Sequence, residues 1–237
     1  LGLTMLGGLL HILVYFLVGW GHSDGAVFPI SQPDSLLYFQ SARQIARGMA
    51  FEYTPGSGVS TGSTTHLYPF ILAIPYALGA TGDALPLAGF LINALFYLGF
   101  IGCWVLEVFK LVPSSLGRVF ACLMLVLSGQ SAYTAASQSD MGLFMLVSSG
   151  MLAAVLYNRW TLFGFLLALA PWCRPEGVPM ALLFVLVAFA SRLIVKLTIP
   201  CRAWICGGVG AASAAGVFVF NHWRTGDWQF QSVLNKG

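Results

Sequence analysis

Charged side chains are scarce in this chain. Only 8 acids and 11 Lys or Arg occur in 237 residues, so each one placed beside an apolar run is a candidate for chemistry. Asp34 follows Pro33 and opens the stretch PDSLLYFQSARQIARG. An aspartate at the edge of an apolar surface is partly desolvated, which makes it a better general base; the same residue type is also a common helix N-cap. Asp140, in SQSDMGLF, offers a second acid. It either caps the helix starting at Met141 or positions an acceptor or a divalent cation. WCRPEGVP holds Arg174 and Glu176 around a Pro/Gly turn, which is either a surface ion pair or a phosphate-binding guanidinium with its partner. Arg43 and Arg47 stand four residues apart on one helical face. They suit anionic lipid headgroups or a substrate phosphate. Thr64 and His66 close a hydroxyl-rich loop that could hold a sugar or a phosphate.

The rest of the composition names the solvent around these groups. The chain is 58% hydrophobic and 8% charged, with a mean hydropathy of +0.82. A soluble domain carries roughly 25% charged residues, and here whole runs are apolar on every side, so the surroundings are lipid. A net charge of +3 gives no reason to expect nucleic acid. The cysteines, Cys103, Cys122, Cys173, Cys201 and Cys206, show no CxxC and no metal-ligand spacing and read as small apolar residues. The sequence begins inside an apolar run and ends on NKG, which reads as a portion of a longer chain.

The elements that must position the charged groups follow from the apolar pattern. The reading is an all-α polytopic transmembrane bundle of about seven spans, with 1–237 as one module. Spans are expected at 1–20, 85–109, 118–136, 141–157, 161–173, 178–196 and 203–220. Residues 21–66 form the first extracytoplasmic loop. Within it, 34–49 reads as an interfacial amphipathic helix ending near Gly48, with Tyr38, Ala42, Ile45, Ala46 and Met49 on one stripe and Gln40, Arg43, Gln44 and Arg47 on the other. The segment 67–80, interrupted by Pro75, reads as juxtamembrane or re-entrant. Loops bearing Lys110, Arg118, Arg159, Arg192, Lys196 and Arg202 then share one side, which the positive-inside rule makes cytoplasmic. Asp34, Glu52, Asp140, Arg174, Glu176, Asp227 and Lys236 fall on the other. No charge sits at the midpoint of a span, where an ion-coupled transporter would hide one. The pattern suits an enzyme acting on a lipid-linked substrate at one membrane face, with a transporter or flippase as the alternative and a scaffold without chemistry as a third.

The ordered motifs resemble the multi-pass GT-C glycosyltransferases, in particular bacterial arabinosyl- and mannosyltransferase-like membrane proteins. Asp34 matches the second acid of that family's acidic pair, with Pro33 in place of the first. Ala42, Arg43 and Gly48 match its helix, and Gly62, Thr64 and Leu67 match the loop before its next apolar helix. SQSDMGLF is similar to its Ser-Gly-Met-Glu-Thr motif, with Asp140 at the acid. CRPEG is similar to Thr-Arg-Pro-Glu-Gly, and FQSVLNK to Pro-Asn-Thr…Lys, through Gln231, Ser232 and Lys236. The resemblance implies transfer of a sugar from a polyprenyl-phosphate donor to a hydroxyl of a glycan, lipid or protein acceptor, with inversion, on the extracytoplasmic face of a bacterial inner membrane. Asp34 would be the base, and Arg174, with Arg43, Arg47 or Lys236, would bind the phosphate. No cofactor is assigned from the sequence, and a divalent cation is compatible with the site.

Overall fold

The computed structural model describes residues 2–22, 33–56, 65–194, 200–226 and 228. Every regular element among them is a helix: α1 (Gly2–His22), α2 (Pro33–Ala46), α3 (Leu67–Ala77), α4 (Ala84–Leu111), α5 (Ser115–Leu127), α6 (Gly129–Ala136), α7 (Met141–Leu156), α8 (Trp160–Cys173), α9 (Gly177–Ile194) and α10 (Cys201–Thr225). Stretches within α1, α4 and α10 are long and apolar enough to cross a membrane. Together with the composition, this makes the chain a membrane-associated helical protein.

Side-chain contacts fix how the helices run. The Gln138 side chain, just before α7, donates to the carbonyl of Pro86 near the start of α4, and at their far ends Tyr157 donates to the carbonyl of Leu106. α4 and α7 are therefore parallel. α1 runs the other way along α4, since His11 meets Tyr97 and Phe16 meets Phe90. Cys206, early in α10, donates to the carbonyl of Trp160 at the start of α8, while Trp172 and Phe220 meet near the ends of both helices. One end of the bundle thus gathers α2, α3, the starts of α4, α7 and α9, and the ends of α8 and α10.

The main core joins α2, α3, α7, α8, α9 and α10 through Tyr38, Tyr68, Leu72, Leu143, Leu167, Ala181 and Ala214. A second core, around Tyr97, Ile101 and Leu125, ties α4 to α5 and is flanked by Met5 and Ile12 of α1. Small residues allow these contacts. A Cβ on Gly8 would fall 2.3 Å from the Ile101 side chain, and one on Gly99 2.9 Å from Leu146.

Several sequence expectations are corrected. Seven full-length spans are not what the described helices give. α5, α7 and α8 contain 13, 16 and 14 residues, or roughly 20–24 Å at the usual helical rise, short of the ~30 Å hydrocarbon core. The single span expected at 118–136 is two helices, because Ser128 takes an extended ψ of 103° and separates α5 from α6. α3 passes through Pro75 and stops only at Ala77. α2 stops at Ala46 rather than 49, and Gly48 turns the chain with φ +80°, a conformation glycine adopts without strain. Gln44, expected on the polar stripe, is buried, because the segment after Gly48 folds back and places the Tyr53 carbonyl against the Gln40 and Gln44 amides at 2.7 and 3.4 Å.

Candidate functional site

α2 begins at Pro33. Proline is well suited to a first helical position, since its fixed φ fits and its missing N–H would have had no partner there. Asp34 consequently lies inside the first turn instead of capping it. It is exposed, at the positive end of the helix dipole, so the partial desolvation expected of it is not found. The next residue anchors this end: the Ser35 hydroxyl donates 2.9 Å to the Ser137 carbonyl in the α6–α7 connection. One turn on, the Tyr38 hydroxyl hydrogen-bonds to the Asp140 carboxylate.

Asp140 directly precedes α7, but its side chain does not cap that helix. Its Oδ1 stands 3.6 Å from Nη1 of Arg174, and the carboxylate is 4% exposed. Its Oδ2 is buried with no protein partner among the described residues. Burial pushes the Asp140 carboxyl up to about 6, against the pull of Arg174 and Tyr38 toward the charged form. Arg174 bridges onward to Glu176, Nε to Oε2 at 3.2 Å. The Glu176 end is 58% exposed and so adds little stability, whereas Asp140 meets Arg174 out of water, where loss of one partner is costly. The turn that carries Arg174 is set by Gly177. A Cβ there would fall 2.1 Å from the backbone of Ala170, so the start of α9 approaches α8 closer than any other residue type allows.

Behind this chain of groups lie further buried polar atoms. Tyr68 packs edge-on against Tyr38, with ring centroids 5.3 Å apart, and its hydroxyl is buried beside Asn93 of α4. Neither the Tyr68 hydroxyl nor either polar atom of the Asn93 amide has a hydrogen-bond partner in good geometry among the described residues. Such an array is suited to ordered water. The signal for Tyr38 and Tyr68 was their amphipathic character; in sequence both sat in apolar stripes.

Other candidates lie elsewhere. His66 is buried, with Nε2 3.0 Å from Asn221 Oδ1 and its backbone N–H on the Trp172 carbonyl. Burial lowers its pKa to about 4, so the ring is neutral near pH 7. It lines an open, apolar cleft of about 440 Å³ with Phe51, Phe70, Trp172 and Phe220. Arg224, not singled out in the sequence, stacks over Phe51 at 5.3 Å and reaches the Ala50 carbonyl at 3.5 Å. Arg43 and Arg47 stand beside the far end of α2, with Arg43 about 14 Å along the helix axis from Asp34. Thr64 and Lys236 lie outside the described residues. No group of three or more His, Cys, Asp or Glu is placed to hold a metal ion among the described residues. No family model, curated protein or solved structure matches the chain.

The geometry therefore joins Asp140, Arg174 and Glu176 in one hydrogen-bonded and ion-paired line, with the α2 end bearing Asp34 tied to it through Ser35 and Tyr38. Such a site can accept a proton at its buried acid, and its guanidinium is shared between two carboxylates.

Proposed function

We propose that this chain is a GT-C-type membrane glycosyltransferase module that moves a sugar from a polyprenyl-phosphate donor to an acceptor hydroxyl. The observation that supports it most is the meeting of an acid-bearing helix start, a buried acid and an arginine turn at one end of an apolar bundle. In this reading Asp34 takes the acceptor hydroxyl proton as the oxygen attacks the anomeric carbon. The bond from that carbon to the phosphate oxygen breaks, inverting the centre. Arg174 offsets the charge gathering on the departing lipid phosphate, and Asp140 positions that guanidinium. The aromatic cleft beside Trp172 gives the lipid chain an apolar wall. The remaining short helices complete the bundle within the membrane, and the face carrying Lys110 and Arg159 is cytoplasmic.

The test is sugar transfer by the full-length membrane protein from a panel of polyprenyl-phosphate sugars. Asp34→Asn should lower turnover by about 10²–10⁴-fold, the usual worth of a general base, with expression and thermal stability unchanged. Turnover retained in that variant would remove Asp34 from the role. A second reading, transport of a small or lipid-linked substrate, draws on one observation: Glu107 of α4 is buried and accepts a hydrogen bond from Ser149 of α7. Flux across liposomes that is lost in Glu107→Gln, with no transfer from any donor, would favour it.

A further inference from the structure

A separate cleft of about 160 Å³ opens at the opposite end of the bundle, where α1, α4 and α5 meet. Its walls include Leu3 of α1, Phe109 of α4, and Val119, Leu123 and Val126 of α5, and Arg118 stands among them. Leu3, Val119 and Leu123 are exposed, so the groove faces outward from the bundle. The Arg118 guanidinium is held in place: Nε donates 2.8 Å to the Val112 carbonyl, and the group lies over the Phe109 ring at 5.0 Å. No carboxylate pairs with it among the described residues. Arg118 also sits in the first turn of α5, where the helix dipole adds positive potential.

We propose that this groove is a binding site for one anionic phospholipid of the surrounding bilayer, an acyl chain lying along Leu3, Val119 and Leu123 and the phosphate meeting the Nη groups of Arg118. Charge complementarity selects the occupant. A half-buried, pre-positioned guanidinium without a carboxylate partner needs an anion, and the apolar floor beneath it needs hydrocarbon. A phospholipid with net negative charge meets both needs at once. A zwitterionic lipid brings its own cation toward the Arg118 guanidinium, and free phosphate leaves the groove unfilled. The site is remote from Asp140 and does not depend on glycosyl transfer being the reaction.

The experiment is native mass spectrometry of the full-length protein in mild detergent, titrated with phosphatidylglycerol, with phosphatidylcholine of the same acyl chains, and with inorganic phosphate as competitor. The wild type should hold the anionic lipid about fivefold more tightly than the zwitterionic one. Arg118→Gln should erase that preference, and Arg118→Lys should keep part of it. Val119→Trp, which fills the groove, should weaken both lipids, while Arg159→Gln on a neighbouring loop should change nothing. Equal affinity for the two lipids, displacement by equimolar inorganic phosphate, or a groove variant that binds like wild type would each overturn the assignment. So would a full-length chain that takes up no lipid, since the groove would then be covered by another part of the protein. If Arg118→Gln does not fold, the Lys and Trp variants decide the matter.

Discussion

Two opposing influences set the state of Asp140. Burial raises its proton affinity to give a value of about 6, and Arg174 lowers it. Because the folded value lies above the ordinary 3.8, the protonated form stabilises the fold. That contribution is fully present below about pH 4 and is lost as pH rises through about 6. The stability of the wild type relative to Asp140→Asn should therefore fall by about 3 kcal/mol between those limits, measured by thermal unfolding in detergent across a pH series. Arg174→Gln should shift the midpoint upward and cost about 3 kcal/mol or more at pH 7, because it leaves a buried acid without its cation. The sequence already showed acids and arginines at helix ends. It did not show which would meet, because a hydroxyl such as that of Tyr38 finds its target on an element a hundred residues away.

Helix ends, rather than helix interiors, do the positioning. The Arg174–Gly177 turn holds its arginine because α9 starts against the backbone of α8. Gly177→Ala should displace that start and destabilise the protein by about 2 kcal/mol or more, with a matching loss in any anion-dependent activity. On α4 and α7, Ser149→Ala should cost about 1–3 kcal/mol, since it strands the buried Glu107 carboxyl, whereas Glu107→Gln should be much milder. Unfolding midpoints of the two variants side by side check this. Helix existence was legible in the apolar runs, and α4, α7, α8 and α10 lie close to where periodicity and hydropathy put them. The α5–α6 break was not legible, because SGQS reads as polar residues inside one span and only the extended Ser128 backbone divides it. The fold-back over Gln44 was hidden as well, since it depends on the chain reversing after Gly48.

For the molecule as a whole, the contacts put the starts of α4 and α7 at one end and those of α5, α8 and α10 at the other. In a background with the other cysteines replaced, Thr54→Cys and Asp83→Cys should react with a membrane-impermeant thiol reagent from one side, and native Cys201 from the opposite side. Labelling of Asp83→Cys and Thr54→Cys from different sides would mean that α3 crosses. The membrane class was legible in composition because lipid demands apolar residues all round a helix. The lengths of the individual helices were not, since hydropathy continues through turns that end them.

The Asp140–Arg174 pair also constrains biosynthesis. Asp140 leaves the ribosome before α7, and Arg174 only after α8 is complete, so the acid enters the membrane a helical hairpin ahead of its cation. Until then the Tyr38 hydroxyl, made earlier on α2, is the partner that offsets its desolvation, and the neutral acid is the cheaper form. Docking of the Arg174 turn then adds the cation that favours the ionised form of Asp140.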